Sequence, residues 1–214
     1  MGGGMRKLPV YLLIDTSGSM KGEPIEAVNA GLQMLIASLR RDPQSLETAH
    51  ISIITFDNKA QVVFPLTSVA ELQLPELQTP ESGATMTGSA LELLCQQVDA
   101  EVRTKSGNVK RDWKPLLFIM TDGAPSDTQK YKEMIPECQK RGFATIVACA
   151  AGMKAKIDSL QNLATSIVSL DTCDGATFAQ FFKWVSDSIG SGAQSVGVTE
   201  NLTLPPPPDA INIV

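Results

Sequence analysis

Oxygen-bearing side chains follow the first apolar run of the chain at alternate positions. Residues 10–14 are all aliphatic or aromatic, and Asp15, Ser17 and Ser19 come directly after them. A carboxylate and two hydroxyls on one short loop can turn toward a single point. Such oxygens are hard ligands, which suit Mg²⁺ better than the nitrogen- or sulfur-seeking zinc and copper ions. The first chemistry to consider is therefore the binding of a divalent cation.

Two further segments supply ligands of the same kind. The apolar run 115–120 continues through a threonine into Asp122, and glycines bracket Thr85 and Thr87 in segment 83–88. In an open α/β sheet, ligands collect at the carboxyl ends of the strands, where the strand order reverses. With the order 3-2-1-4-5-6, Asp122 would lie beside the loop that follows the first strand. Two carboxylates meeting there would repel each other unless a cation lay between them.

The elements that position these residues alternate between strand and helix patterns. Continuous apolar runs predict buried strands at 10–14, 51–56, 115–120, 144–150 and 167–170. Helical periodicity predicts amphipathic helices at 25–39, 91–102, 131–138 and 178–189. Residues 61–64 follow a strand after only four residues, which predicts a hairpin and an antiparallel edge strand. The fold class is thus α/β: a Rossmann-like, doubly wound, mainly parallel six-stranded sheet in the order 3-2-1-4-5-6, flanked by helices.

Composition divides the chain into three parts. We expect an N-terminal extension at 1–8, a metal-binding domain at 9–190 and a C-terminal tail at 191–214 that is rich first in Gly and Ser and then in Pro. The four prolines at 205–208 predict a stiff, extended tail, with docking against the domain or a partner as the alternative.

Charge argues against nucleic acid as a main partner. The net charge is −5 and the isoelectric point is about 4.9, whereas phosphate binding requires a basic surface. One basic stretch is interpreted as a solvated loop; it contains Arg103, Lys105, Lys110, Arg111 and Lys114. No apolar run approaches the ~20 residues that span a bilayer, so no membrane insertion is expected.

The cysteines indicate a reducing compartment. Cys95, Cys138, Cys149 and Cys173 lie far apart and form no C-x-x-C pair, which excludes zinc-ribbon and thioredoxin-like sites. Most of them fall in apolar periodic segments, as buried, reduced thiols do. We therefore expect a cytoplasmic protein.

Together, the three oxygen-bearing segments resemble a known site. DTSGS at 15–19, GATMTG at 83–88 and TDG at 121–123 look like the metal-ion-dependent adhesion site of von Willebrand factor type A domains, with Gly-Ala in place of the commoner Gly-Gly. The resemblance extends from residue 9 to about residue 189 and implies that family's fold. It implies direct coordination by the hydroxyls of Ser17, Ser19 and Thr85, with Asp15 and Asp122 acting directly or through water. The implied ion is Mg²⁺, with Mn²⁺ or Ca²⁺ as substitutes.

The resemblance also implies a non-enzymatic module that binds proteins, in which a partner Asp or Glu completes the metal coordination. The residues expected to form the partner-binding rim are Met20, Met86, Thr87, Ala124 and Pro125. Segments 9–20, 23–32 and 112–123 further resemble the TerY-like proteins of bacterial tellurite-resistance and stress-response gene clusters. Those proteins are intracellular and are paired with kinase-like and phosphatase-like proteins.

Two other functions remain as alternatives. An aspartate after a first strand is also the nucleophile of aspartate-dependent phosphoester hydrolases, but these carry a second aspartate two residues on, where Ser17 stands. The single histidine, His50, begins a strand at the opposite end, so no general base is expected near the site. The other alternative is a scaffold in which the metal only stabilises the fold.

Overall fold

The computed structural model describes residues 6–104, 110–152, 156–195, 203–209 and 211–214. The strands are β1 (Leu8–Asp15), β2 (Ala49–Phe56), β3 (Ala60–Ser68), β4 (Leu116–Thr121), β5 (Thr145–Ala151), β6 (Ser166–Leu170) and β7 (Asn212–Ile213). The helices are α1 (Glu23–Arg41), α2 (Pro43–Thr48), α3 (Thr87–Glu101), α4 (Thr128–Lys140), α5 (Ile157–Leu160) and α6 (Gly175–Ser195). None of these helices has both the length and the apolar character needed to cross a membrane.

The strands form one sheet in the order β3-β2-β1-β4-β5-β6-β7. Pairing is parallel from β2 through β6, while β3 and β7 run antiparallel at the two edges. The predicted order 3-2-1-4-5-6 and the antiparallel hairpin strand are confirmed. The seventh strand was not predicted. Every residue of β1 is buried, as expected for a central strand covered on both faces.

Two helical layers cover the sheet. Val10, Leu12 and Ile14 point to the layer that contains α1 and α6, whereas Tyr11 and Leu13 point to the layer of α3 and α4. Helices α1 and α6 approach closely at Gly31, where an added Cβ would lie 2.1 Å from a ring carbon of Phe182. Only glycine leaves room for this packing.

The C-terminal segment departs from the predicted tail. Helix α6 continues past residue 190 to Ser195, and the described residues beyond it pack against the domain. The Trp184 Nε1–H donates to the Pro205 carbonyl at 3.0 Å, Ile211 is buried, and β7 pairs with β6. The proline run therefore docks, which was the alternative to a free, extended tail. Residues 196–202 and 210 of the predicted tail lie outside the described residues.

The predicted N-terminal extension, 1–8, is described only from residue 6 onward. Leu8 already belongs to β1, and the Lys7 carbonyl accepts a hydrogen bond from the Trp113 N–H at 2.9 Å. The described end of this segment is thus part of the fold.

Candidate metal centre

The Asp15 carboxylate is held at the carboxyl end of β1 by two donors. The Ser17 N–H donates to Asp15 Oδ1 at 2.8 Å, and the Thr121 hydroxyl donates to Asp15 Oδ2 at 2.7 Å. Thr121 ends β4, which lies next to β1, so the strand pairing brings it within reach. Asp15 is fully buried. Its orientation is therefore fixed by the fold.

A line of polar side chains joins the loops after β1 and β4. Ser17 Oγ lies 3.1 Å from Ser19 Oγ, and the Ser19 hydroxyl donates to Asp122 Oδ1 at 2.8 Å. Ser17 is buried, whereas Ser19 is exposed and Asp122 is half-buried. These side chains thus extend from the sheet to solvent.

Thr85 completes the group from the loop before α3. Its hydroxyl lies 3.4 Å from the position that a Cβ on Gly123 would occupy, so it faces the loop after β4. The Thr85 N–H donates to Ser126 Oγ at 3.0 Å, and the Ser126 N–H donates to the Thr85 carbonyl at 2.8 Å. The structure thereby brings the oxygen-bearing residues of all three predicted segments together at the carboxyl ends of the central parallel strands.

The Asp15 carboxyl group has no opposite charge next to it among the described residues. Burial raises the pKa of Asp15, hydrogen bonds from Ser17 and Thr121 lower it in part, and the nearby Asp122 carboxylate raises it again. The donors to Asp15 are neutral, so they orient the carboxylate without supplying an opposite charge. A cation at this end of the sheet would supply it.

The donor set fits a hard divalent cation. Among the described residues, no three His, Cys, Asp or Glu side chains cluster as they do in typical zinc sites. The carboxyl end of the sheet offers two carboxylates and three hydroxyls. All of these ligand atoms are oxygens, which match the ligand preference of Mg²⁺. The residues that would hold the ion are Asp15, Ser17, Ser19, Thr85 and Asp122.

Two of the five predicted rim residues are not on the surface. Met20 is 0% exposed, because it ends the short 3-10 turn Gly18–Met20 and packs into the apolar layer under α1. Thr87 is 1% exposed as the first residue of α3. Neither can contact a partner in this conformation, so both assignments are corrected. Met86, Ala124 and Pro125 are half-buried and remain candidates.

Asp127 supports the site and was missed from the sequence. Its carboxylate accepts hydrogen bonds from the N–H groups of Gly88 and Ser89, at 2.9 and 2.8 Å, and so caps the start of α3. A Cβ on Gly88 would lie 2.4 Å from the Tyr131 backbone nitrogen, so α3 and α4 meet here without a side chain between them. The capping partners are nearly forty residues apart, and no local pattern signals them.

Asp57 was also missed. It follows β2, accepts a hydrogen bond from the Thr16 hydroxyl at 3.0 Å, and accepts another from the Met86 N–H through its carbonyl, at 3.0 Å. It thus ties the loop after β1 to the loop before α3. One sequence signal could have found this role: Asp57 is an acidic residue directly after β2, the strand that pairs with β1.

The chain's single histidine lies away from the site, as predicted. His50 is at the amino end of β2, with its Nδ1 3.1 Å from the Thr48 carbonyl. The site residues, in contrast, follow the carboxyl ends of the parallel strands.

Comparisons with known proteins agree with this geometry. The model of the von Willebrand factor type A domain matches residues 10–180. Matrilin-4 of Mus musculus is 26% identical over 162 residues, which cover 74% of this chain and 25% of that protein. The chain thus spans about a quarter of the length of the curated relatives it matches.

Solved structures share the fold. A von Willebrand factor type A structure from Catenulispora acidiphila has a TM-score of 0.65 at 17% identity, and the match covers 87% of this chain and 43% of that one. The proximal thread matrix protein 1 of the mussel byssus, with a zinc-occupied MIDAS motif, has a TM-score of 0.60 at 16% identity and covers 85% and 48%.

Proposed function

Because the chain belongs to the von Willebrand factor type A domain family, we propose that it binds protein partners through a Mg²⁺ ion at its metal-ion-dependent adhesion site. The ligands are Ser17, Ser19 and Thr85, with Asp15 and Asp122 supplying negative charge. The observation that carries the proposal is the convergence of these oxygens beside a buried carboxylate that has only neutral donors. Mn²⁺ or Ca²⁺ are candidate substitutes.

The protein's own residues have separate tasks in this proposal. Asp15 is oriented from below by Ser17 and Thr121, while Ser19 and Asp122 lie at the solvent side of the same group. Held there, a divalent cation supplies the positive charge that an Asp or Glu carboxylate of a partner requires. Asp57 and Asp127 accept hydrogen bonds from neighbouring loops and hold the three loops in position. The oxygens therefore need little rearrangement on binding.

Specificity must come from the surface around the ion, since a carboxylate alone does not distinguish partners. Met86, Ala124 and Pro125 are the rim residues that remain accessible. Met86 offers an adaptable apolar contact, and the other two offer a small, rigid one.

The finer assignment rests on the sequence resemblance. We place the chain among TerY-like, cytoplasmic proteins of tellurite-resistance or stress-response systems, with kinase-like or phosphatase-like proteins as partners. We assign it no catalytic activity, since the group around Asp15 includes neither a second aspartate at position 17 nor a histidine.

Metal binding is tested with Thr85→Val, which removes one hydroxyl and keeps the side-chain shape. The wild type should gain about 2.7 kcal/mol of unfolding free energy at Mg²⁺ concentrations of ~100 times the dissociation constant. Thr85→Val should need at least about tenfold more Mg²⁺ for the same gain. Thr67→Val, which removes an exposed hydroxyl on β3, is the matched control and should behave as wild type. Equal Mg²⁺ responses in all three proteins would contradict the ligand set.

Partner binding is tested separately, by affinity capture from the native host with wild type and Asp15→Ala as parallel baits. Partners should be retained by the wild type in Mg²⁺ and released by EDTA, and Asp15→Ala should not retain them. A partner that binds all baits in EDTA, while Mg²⁺ still stabilises the wild type, would assign the metal a structural role. Phosphate release from generic phosphoesters would instead support the hydrolase alternative.

A further inference from the structure

A cluster of basic side chains lies at the opposite end of the sheet from the metal centre. It is formed by the chain entering β1, the residues after α3 and the residues before β4. We call it the basic patch; its members are Arg6, Lys7, Arg103, Lys110, Arg111 and Lys114. Strand β1 separates it from Asp15 by seven residue steps, or about 23 Å. The two surfaces therefore cannot serve one small ligand.

Backbone and ring contacts hold the patch together. The Arg6 Nε–H donates to the Arg111 carbonyl at 2.7 Å, and the Arg6 guanidinium lies 3.1 Å above the centre of the Trp113 ring. The cation–π contact and the hydrogen bond fix Arg6 against Trp113 and the backbone of Arg111. The local fold thus keeps like charges close together, and the pKa of Arg6 is lowered by burial and by Arg111.

The patch has a local excess of positive charge in an acidic protein. Among the described residues 6–7, 101–104 and 110–114, six side chains are basic and two, Glu101 and Asp112, are acidic, in a chain of net charge −5. Asp112 is buried and engaged by Arg103, and Glu101 accepts from the Tyr11 hydroxyl and the Leu66 N–H. Lys110 and Lys114 are exposed and form no ion pair with any described residue.

We infer that the basic patch is a second docking surface, which binds a short acidic segment of a protein partner. An anionic peptide would relieve the repulsion between the clustered cations, and carboxylates pair well with guanidinium groups. The members of the patch come from a few short stretches, 6–7, 103 and 110–114, which suit a short segment better than an extended polyanion. A nucleic acid or an anionic membrane would also face the acidic remainder of the surface, which would repel it.

The inference is tested with a fluorescein-labelled decaglutamate peptide in EDTA, so that the metal centre does not contribute. Fluorescence anisotropy at low salt should show binding to the wild type that weakens as salt is added. The charge-reversal double variant Lys110→Glu/Lys114→Glu should bind at least about tenfold more weakly. Its matched control, Lys59→Glu/Lys132→Glu, makes the same change in net charge at exposed lysines elsewhere and should stay within about twofold of wild type.

Three outcomes would overturn the inference. They are an absence of peptide binding by the wild type, equal weakening in both double variants, and stronger binding of a labelled oligothymidine or of phosphatidylserine vesicles than of the peptide. Because the variants change only exposed lysines, their melting temperatures should match that of the wild type, and this is checked first.

Discussion

Two buried aspartates lie at opposite ends of the sheet, and the protein shifts their pKa values in opposite directions. Asp15 accepts hydrogen bonds from the Ser17 N–H and the Thr121 hydroxyl, and burial together with Asp122 raises its pKa. Asp112 accepts from the Arg103 guanidinium, with distances from 2.7 Å, and from the N–H groups of Lys7 and Arg103. Burial opposes its ionisation as well, but these donors outweigh burial, and the pKa of Asp112 is lowered.

The two carboxylates differ in whether the chain itself supplies an opposite charge. Asp112 has its counter-ion within the chain, and it joins the start of β1 to the segment after α3. Asp15 is also buried, but it has no cationic donor among the described residues. A buried charge without an opposite charge destabilises the fold, so its presence at a strand end indicates a ligand that supplies the missing charge.

The variant with the largest expected effect removes the counter-ion of Asp112, so that this carboxylate resembles Asp15. Arg103→Ala removes the guanidinium and leaves Asp112 as a buried carboxylate with only backbone donors. We expect a loss of about 3 kcal/mol in the free energy of unfolding, the low end for breaking a buried pair, since Arg103 is 32% exposed. Urea denaturation measures it. Lys183→Ala, which breaks an exposed pair with Asp187, is the control and should lose less than about 1 kcal/mol. A similarly small loss for Arg103→Ala would mean that Asp112 does not depend on its counter-ion, and the difference between Asp112 and Asp15 would disappear.

The next test removes the uncompensated charge instead. Asp15→Asn keeps an acceptor for the Ser17 N–H but carries no charge. In EDTA at neutral pH it should be more stable than the wild type by about 1 kcal/mol, because relief of the buried charge exceeds the loss of one hydrogen bond. Thermal unfolding in EDTA measures this, and repeating it in Mg²⁺ should reverse the ranking. A less stable Asp15→Asn in EDTA would mean that the protein already compensates this carboxylate.

The smallest expected effect is the pH dependence of the Asp112 contribution. Its pKa is lower in the folded chain than the ~3.9 of an unfolded aspartate, so ionised Asp112 adds stability above that value. This stability is lost as pH falls through the folded pKa. The difference in unfolding free energy between the wild type and Asp112→Asn should be constant near neutral pH and shrink below about pH 4. A difference that grows as the pH falls would mean that folding raises the pKa of Asp112 instead of lowering it.

Sequence reasoning located the fold and the metal-site candidates because both depend on strong local signals. Continuous apolar runs mark β1, β2, β4 and β5, and the short DNKA connection identifies the antiparallel β3. Parallel pairing then places the residues after β1 and β4 side by side, whatever the details of the loops.

The parts that were missed depend on contacts between distant segments. Met20 looked like a loop residue, but the 3-10 turn directs it into the core. Asp127 and Asp57 act on segments about thirty to forty residues away. Helices α2 and α5 span only six and four residues, too few to show a helical period. Strand β7 has two residues, and its pairing is visible only once β6 is placed at the sheet edge.

The docked C-terminal segment bears on how the chain could be shortened. A chain cut at residue 190, where composition suggests a boundary, would lose the last turn of α6 together with β7 and Ile211. The backbone groups of β6 would then be unpaired along one side, beside an apolar depression left by Ile211. Open strand edges of this kind recruit other chains. We therefore expect a chain cut at residue 190 to self-associate and precipitate on concentration, while its metal centre stays intact.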